Sequence, residues 1–291
     1  MRICRKHTEP ILETVALYGT NDQSEKGDFM FIKSTLLRSP HEFCRRNGGV
    51  SREEHTKSLN LAFFRGDEDD TVLENLRLFA DSVGFDPQNV ISLPQIHSDI
   101  IYKVGKEDTG QGYFVREALR EGDGYITNER NVVLGVKAAD CVPILFEAEK
   151  DGQILAVGAV HAGWRGTVAG IAPKCVEMLC REYRLSPQAV RAAIGPCIHK
   201  CCYEVGSDLK DAVDFSLGKE ISEQYVTACG DGEHYFCDLP GINRELLLHA
   251  GLPQDNIDTV NKCTCCEPSL FYSHRYTKGV RGTMLNVILM K

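Results

Sequence analysis

The stretches Val142–Phe146, VPILF, and Ile154–Val160, ILAVGAV, indicate where the sheet of this protein lies. Both are rich in branched aliphatic residues and too short for a typical helix. The runs VISL (Val90–Leu93), DIIYKV (Asp99–Val104) and VVLGV (Val132–Val136) have the same character. These segments therefore predict a strand-rich middle of the chain.

Outward from this centre, FMFIKSTLL at Phe29–Leu37 predicts the first strand and MLNVILM at Met284–Met290 the last. Residues 1–27 are polar and weakly patterned and are treated as an N-terminal extension. No repeat, low-complexity tract or linker interrupts 28–291. This range is therefore predicted to be a single α+β domain.

Helical spacing recurs in three segments. The first, Thr71–Gly84, has a capping-box spacing at Thr71 and Glu74 and ends at a glycine. Its predicted inner face is Leu73, Leu76, Ala80 and Val83. A second helix is expected within 165–183, where Pro173 marks a kink or a late start. A third is expected from an Asp238 cap to Gly251.

Composition and charge exclude several classes of protein. The 291 residues are 43% hydrophobic and 25% charged, as in globular proteins. The net charge of -8 offers no basic field for nucleic acid or an anionic membrane, so a small molecule is the expected partner. No apolar run has the length of a signal sequence or of a membrane span. The 13 cysteines are odd in number, which does not favour a framework of disulfide pairs. A cytoplasmic location with mostly reduced thiols is expected.

Common catalytic motifs do not fit. There is no phosphate-binding G-x-x-x-x-G-K-[ST] loop, no G-x-G-x-x-G after a strand and no G-x-S-x-G elbow. His41 and Glu42 are followed by Arg45 where a zinc protease helix needs a second histidine. The zinc-deaminase signature fails because Cys197 is followed by Cys201, which is not the required spacing.

One set of residue types fits a metal site. His97 in PQIH, Cys141 in AADC and His161 in VHAGWRG each lie at the end of an apolar run or beside a glycine. Two imidazoles and a thiolate are a recognised set for catalytic Zn²⁺, with the fourth position left to water or substrate. The three residues are far apart in sequence, and nothing local brings them together. The alternative interpretation is that each is a buried or loop residue unrelated to the other two.

These segments match a known family in order and in detail. From Gly48 onward the chain resembles the YfiH or laccase-domain family in GGVS, SLNL, PQIHSD, DGYIT, KAADCVPILF, HAGWRG, IGPCI, CCYEVG, FCDLPGINR and FYSHR. HAGWRG and ADCVP together are highly specific. The resemblance implies a layered α/β/β/α fold with mixed sheets. It also implies that His97, Cys141 and His161 bind zinc, with copper as the alternative metal.

The activity that the resemblance implies is phosphorolysis of adenosine, inosine and S-methyl-5′-thioadenosine, together with hydrolytic deamination of adenosine. Zinc with an open position lowers the pKa of its water to about 7, which accounts for hydrolysis. Phosphorolysis also needs a held phosphate. Arg165 is our candidate for this role, because it lies between two glycines at an expected helix start.

Other residues of the matched motifs have two interpretations each. Trp164 is a pocket wall or a core anchor, and Asp140 orients a ligand or caps a turn. Asn60 and Gln95 bind substrate or satisfy backbone groups. Arg275 is a candidate anion contact, with Arg281 as a further one.

The C-terminal segment departs from the family pattern. This chain has Tyr276 after Arg275, where the family more often has a second arginine. The departure puts the anion-binding role of the segment in doubt.

A second group of cysteines could bind a structural zinc ion or pack as small hydrophobes. The group is Cys197, Cys201, Cys202, Cys263, Cys265 and Cys266. Because the spacing is not that of paired C-x2-C knuckles, buried thiols are the expectation.

Three alternative functions stay open. Bacterial relatives are described as amidases that remove a wrong amino acid from a cytoplasmic cell-wall precursor, and the same zinc site suits that hydrolysis. A copper polyphenol oxidase is less compatible, because the nine scattered histidines do not suggest a multicopper cluster. The third alternative is a protein that binds metal and ligand without turnover.

Overall fold

A computed structural model describes residues 32–230 and 232–291 of the chain. The strands are β1 (His41–Glu42), β2 (Val90–Ile91), β3 (Ile101–Lys103), β4 (Gly124–Thr127), β5 (Val133–Ala138), β6 (Val142–Lys150), β7 (Gln153–Ala162), β8 (Val190–Ile194), β9 (Glu204–Val205), β10 (Val226–Ala228), β11 (Tyr235–Cys237), β12 (Ile257–Thr259) and β13 (Met284–Leu289). The α-helices are α1 (Asp69–Val83), α2 (Trp164–Val168), α3 (Ile171–Tyr183), α4 (Ser207–Leu217), α5 (Lys219–Tyr225), α6 (Leu239–His249) and α7 (His274–Thr277).

The two apolar stretches at the centre of the sequence form the antiparallel hairpin β6–β7 in a mixed six-stranded sheet. Its strand order is β12-β8-β6-β7-β4-β3. Successive side chains of β6 point to opposite faces: Ile144 and Phe146 contact the helices, whereas Leu145 lies in the cluster between the sheets. All three are fully buried, which explains why the sequence shows a continuous apolar run.

A second sheet covers the other face of the first. It has the order β1-β13-β5-β2 and contains the predicted closing strand, which pairs antiparallel with β5. One apolar cluster lies between the sheets and includes Leu134 and Ile288 from the second sheet and Val157 from the first. A small sheet of β10, β11 and β9 shares no strand with either, and its residues Val226 and Cys237 pack in the same apolar cluster as Ile144 of the larger sheet.

Helices complete the outer layers. Helix α1 packs on the four-stranded sheet through Leu76 and Phe79, and α3 and α6 pack on the six-stranded sheet through residues such as Leu179 and Ile242. The order of layers is therefore α/β/β/α with mixed sheets, as the sequence resemblance implied.

Two expected helices differ in detail from the prediction. Helix α1 begins at Asp69 after Glu68, without a side-chain cap, so the expected capping box at Thr71 is wrong. The second expected helix is two helices separated at Gly170, whose φ of 79° interrupts helical geometry. Pro173 lies in the first turn of α3, where its missing N–H costs no hydrogen bond.

The third expected helix is confirmed. The Asp238 side chain accepts a hydrogen bond from the Gly241 N–H at the start of α6. Gly251, just beyond the helix, has a φ of 92°.

The predicted first strand is wrong over its described part. Residues 32–37 form no strand, and the first strand is His41–Glu42. Side-chain acceptors take the place of the carbonyl groups of a neighbouring strand there. The Ile32 N–H donates to Glu42 Oε1, and the Ser34 N–H donates to His41 Nε2. The predicted extension 1–27 lies outside the described residues. No helix of the described part is long and apolar enough to cross a membrane.

Candidate metal centre

Strand pairing brings two of the three expected ligands together. In the β6–β7 hairpin Pro143 pairs with His161, so Cys141 at the start of β6 lies beside the end of β7. His97 reaches the same edge from the loop between β2 and β3. Cys141 and His161 lie 44 and 64 positions after His97 in the sequence, yet all three share one site. Cys141 and His161 meet because antiparallel strands place the start of one strand beside the end of the next.

The distances fit a single cation. The ligand atoms of His97, Cys141 and His161 all lie within 4.8 Å of one another. Cys141 Sγ is 3.8 Å from His97 Nε2, and the two imidazole rings are nearly perpendicular with centroids 4.9 Å apart. Two nitrogens and a sulfur are the donor set that zinc and copper bind, so the residues present fit a metal.

A buried carboxylate that the sequence analysis did not single out organises this centre. Asp123 accepts a hydrogen bond from His161 Nδ1 at 2.8 Å, which leaves His161 Nε2 for a metal. It also accepts bonds from the N–H groups of Ile96, His97 and Ser98 and from the Ser98 hydroxyl. One side chain therefore orients one ligand and fixes the loop that carries another.

The ionisation of the site follows from these contacts. Burial opposes ionisation of Asp123, but hydrogen bonds from His161 and Ser98 lower its pKa to about 2. Burial likewise opposes charge on His161, yet Cys141 and Asp123 raise the pKa of its imidazole to about 9. The same imidazolium, with hydrogen bonds from both histidines, outweighs burial and lowers the pKa of Cys141 to about 6. Without a metal, Cys141 is thus a thiolate beside the His161 imidazolium, and a cation bound by the thiolate would take the place of the proton on His161 Nε2.

Backbone geometry around the site is unusual at two positions. His97 and Asp140 have φ values of 62° and 96°, in the left-handed region that non-glycine residues rarely adopt. Asp140 is held there by the Thr264 hydroxyl at 2.6 Å and the Arg275 N–H at 2.6 Å. These contacts fix the turn immediately before Cys141.

Gly163 leaves room for two of the ligands. A Cβ at this position would lie 2.7 Å from His97 Cδ2 and 3.3 Å from Cys141 Sγ. The glycine of HAGWRG is therefore explained by the close approach of the backbone to the ligands, and no positive φ is involved.

Asn60 and Gln95 make their hydrogen bonds within the protein. Asn60 is fully buried, and its side chain bonds to Ala62, Asp67 and Thr283. Gln95 exchanges two hydrogen bonds with the backbone of Lys137, at 2.8 and 2.6 Å. Of their two interpretations, these contacts favour satisfaction of neighbouring polar groups.

The other predicted residues lie around the centre in different roles. Trp164 is half-buried at the start of α2, and the exposed Arg165 guanidinium stacks on its ring at 4.1 Å. The guanidinium of Arg275 donates to the carbonyl oxygens of Cys202 and Glu204. Arg275 therefore joins backbone segments, whereas Arg165 faces solvent.

A second arginine near the centre, Arg281, has a buried hydrogen-bond donor without a partner among the described residues. Arg281 bonds through one terminal nitrogen to Gly282 and Thr283, but its buried Nε has no hydrogen-bond partner among the described residues. Burial and the charge of Arg65 lower its pKa to about 10, and Cys141 is among the charges that it senses. The group is still cationic at neutral pH. The sequence analysis named Arg281 only as a further anion contact beside Arg275.

The predicted cysteine group divides in the structure. Cys197 and Cys263 are buried, as expected, but Cys201 and Cys266 are exposed, so the expectation of buried thiols is wrong for them. The Sγ atoms of Cys201, Cys202, Cys263 and Cys266 lie within 4.8 Å of one another. These four residues are called the four-cysteine cluster below.

The fold and site define a two-sheet α/β protein with a candidate three-ligand metal site at the edge of its larger sheet. Residues 40–291 match the family model described as multi-copper polyphenol oxidoreductase laccase, and the chain belongs to this family.

Named relatives and a solved structure agree with this assignment. The chain is 37% identical over 252 residues to purine nucleoside phosphorylase YlmD of Bacillus subtilis, covering 86% of this chain and 87% of that relative. It is 32% identical over 249 residues to adenosine deaminase RL5 of an unknown prokaryotic organism, covering 84% and 91%. The crystal structure of the hypothetical protein YfiH of Bacillus licheniformis superposes with a TM-score of 0.81 at 34% identity, covering 86% of this chain and 92% of that one. Relatives thus include purine nucleoside enzymes.

Proposed function

We propose that this protein is a zinc-dependent purine nucleoside enzyme that carries out phosphorolysis of adenosine, inosine and S-methyl-5′-thioadenosine and hydrolytic deamination of adenosine. The observation that carries the proposal is the convergence of His97, Cys141 and His161 within 4.8 Å of one another. The names of the relatives supply the substrate class. A cytoplasmic location is part of the proposal.

The metal would be held by the two imidazoles and the thiolate. Zinc bound by three protein ligands supplies Lewis acidity and lowers the pKa of a bound water. Asp123 keeps the His161 ring in the tautomer that presents Nε2, and the Cys141 thiolate reduces the positive charge of the centre. Asp140 acts as a positioning residue, because it fixes the turn that carries Cys141.

Two arginines are proposed to bind phosphate. Arg281 offers a buried Nε donor, and it is close enough to Cys141 for the two charges to interact. Arg165 offers an exposed guanidinium beside the last ligand strand. A fixed cation beside the reacting atoms stabilises the charge that develops during transfer of the sugar to phosphate. Asn60, Gln95 and Arg275 are proposed to act through the loops that they hold.

Product analysis tests the proposed reaction. Metal-analysed protein is incubated with adenosine, with and without phosphate. Adenine and ribose 1-phosphate that form only with phosphate indicate phosphorolysis, and inosine with ammonia indicates deamination. The control is His249→Ala, which removes an exposed histidine of α6 and should retain both activities. Release of an amino acid from a UDP-linked muramyl substrate, with adenosine untouched, would instead identify the precursor amidase.

Arg281→Ala and Arg165→Ala test the phosphate site separately. Loss of a cation that contacts phosphate should raise the KM for phosphate about tenfold or more while deamination continues. Steady-state kinetics at varied phosphate measure this. If Arg165→Ala changes only the unfolding temperature, Arg165 has no part in the phosphate site. If Arg281→Ala changes only the unfolding temperature, Arg281 likewise has no part in it.

The described histidines give little support to a copper polyphenol oxidase. Within 32–230 and 232–291, neither group of clustered metal ligands contains more than two imidazoles. A multicopper cluster needs more of them. Several copper atoms per chain, with visible absorbance of the purified protein, would favour the oxidase over our proposal. A protein that binds zinc and adenosine but forms no product would be the non-catalytic alternative.

A further inference from the structure

The four-cysteine cluster lies on two neighbouring turns rather than on strands. Cys201 and Cys202 follow His199 in a turn closed by hydrogen bonds to the His199 carbonyl. Cys263 and Cys266 lie in a second turn, closed by the bond from the Glu267 N–H to the Cys263 carbonyl. The two segments are joined where Cys197 bridges Cys263 through backbone hydrogen bonds. Four thiols thus converge from segments about 60 residues apart.

The sulfur separations match a tetrahedral metal site. Sγ of Cys201 lies 3.7 Å from that of Cys202, 3.7 Å from that of Cys263 and 3.5 Å from that of Cys266. Cys202 and Cys266 are 3.3 Å apart. In a tetrahedron with Zn–S distances of about 2.3 Å, the sulfurs are about 3.8 Å apart. A disulfide requires about 2.05 Å, so none of these pairs is bonded.

Backbone contacts resemble those of a zinc knuckle. Cys263 and Cys266 have the C-x2-C spacing that is common in structural zinc sites. Cys263 Sγ accepts a hydrogen bond from the His199 N–H at 3.5 Å and a second one from the backbone of Cys266. Such N–H groups stabilise a thiolate and fix its direction. The adjacent pair Cys201 and Cys202 takes the place of the second C-x2-C.

From this geometry we propose that Cys201, Cys202, Cys263 and Cys266 form a second metal site, separate from the catalytic centre, that binds one zinc ion through four thiolates. Four protein ligands leave no open position, so the site is structural. Zinc is the expected ion because an all-sulfur tetrahedral set selects soft or borderline metals over calcium and magnesium.

The position of the cluster gives this zinc site a consequence for the catalytic centre. Thr264, between two cysteines of the second turn, donates its hydroxyl to Asp140, next to Cys141. Arg275 bonds to the Cys202 carbonyl and donates its N–H to the same aspartate. A metal that fixes both turns would therefore hold the turn that carries the catalytic thiolate. This inference concerns metal binding and does not depend on which reaction the protein catalyses.

Metal counting tests the proposal directly. The full chain is purified under reducing conditions and its zinc content is measured by mass spectrometry. Wild type should hold two zinc ions per chain. The double variant Cys141→Ser/His161→Ala removes the catalytic centre and should keep one ion. Adding Cys266→Ser should remove that ion, whereas adding Cys265→Ser, in the same turn but outside the cluster, should leave it in place.

Cobalt provides a readout that does not require the cluster variants to fold. In wild type and in Cys141→Ser/His161→Ala, Co²⁺ should give the thiolate charge-transfer and intense visible bands of a tetrahedral sulfur site. One zinc ion in wild type, none in the folded and reduced double variant and no such cobalt bands would overturn the proposal. Absence of nucleoside activity in wild-type protein that holds both ions would contradict only the proposed function.

Discussion

The three-residue site proposed as the catalytic centre and the four-cysteine cluster bring distant side chains together through different elements. The first takes Cys141 and His161 from paired strand ends of the larger sheet, and a buried carboxylate holds its histidines. The second takes its thiols from two turns, and two of them are exposed. Strand register places Cys141 beside His161, and the hydrogen bonds of Asp123 hold the loop that carries His97. The two turns are joined by backbone hydrogen bonds at Cys197 and Cys263, and a metal ion would add a direct link between their thiols.

The largest expected effect is loss of the catalytic centre alone. His161→Ala should lower kcat/KM for adenosine about 10³-fold or more. The reason is that a metal lowers the free energy of the transition state by several kcal/mol through stabilisation of its developing charge. Zinc analysis should show one ion lost and the cluster ion retained. If both ions were lost together, the two sites would not be independent.

Asp123→Asn tests how much the strand-based centre depends on its carboxylate. The substitution removes the charge that orients His161 and weakens the acceptor for three N–H groups. Zinc affinity at the catalytic centre should fall about 10- to 100-fold, measured by competition with a chelator. The matched control is Asp81→Asn, an exposed carboxylate of α1 paired with Arg77, which should leave the affinity unchanged. Equal affinity in both variants would contradict the role of Asp123.

Gly163→Ala tests the close packing of the catalytic centre. The added methyl group would press against His97 and Cys141 and should destabilise the fold by about 1–3 kcal/mol. Denaturant unfolding measures this, and zinc loss is expected from the catalytic centre only. Gly152→Ala is the comparison, since its Cβ meets nothing within 4 Å and its cost is confined to backbone strain at a φ of 80°. A Gly163 variant that binds zinc normally would show that the ligands can move.

The smallest effect concerns a buried carboxyl away from both sites. Burial raises the pKa of Glu42 from its ordinary value of about 4.5 to about 8. The folded state thus binds the Glu42 proton more tightly than the unfolded state. The contribution of this proton to the stability of the fold is fully present below about pH 4.5 and is lost as the pH rises through 8. The free energy of unfolding should fall by about 1 kcal/mol between pH 7 and pH 8.

Glu42→Gln keeps the shape of the protonated carboxyl and should remove this fall. Unfolding curves of both proteins at several pH values measure the difference. An identical pH dependence in the variant would show that another group, such as a metal ligand, is responsible.

The sequence predicted the layers of the fold better than their edges. Continuous apolar runs identify strands that are buried on both faces, as in β6 and β7. The segment 32–37 is only half apolar, and its backbone bonds to the side chains of Glu42 and His41 instead of to a neighbouring strand. The register that places His161 opposite Pro143 is a tertiary property, so the residue types left the ligand set as one of two interpretations, and the resemblance favoured it.

Asp123 was not predicted from the sequence, and the cysteine group was expected to be buried thiols rather than a zinc site, for different reasons. Asp123 was visible as the first residue of DGYIT, a carboxylate directly before a buried strand, yet its role depends on His161 in the neighbouring strand. The four-cysteine cluster was obscured because only Cys263 and Cys266 have knuckle spacing, while their partners are adjacent in sequence. A search for one C-x2-C beside a vicinal pair would have favoured the metal site.

The most direct test of the account is anomalous diffraction at the zinc edge from crystals of the wild-type protein. The account predicts two peaks per chain, one among His97 Nε2, Cys141 Sγ and the His161 ring, and one among the four sulfurs of the cluster. A structure with both sets of side chains ordered and no peak at the three-ligand centre would contradict it.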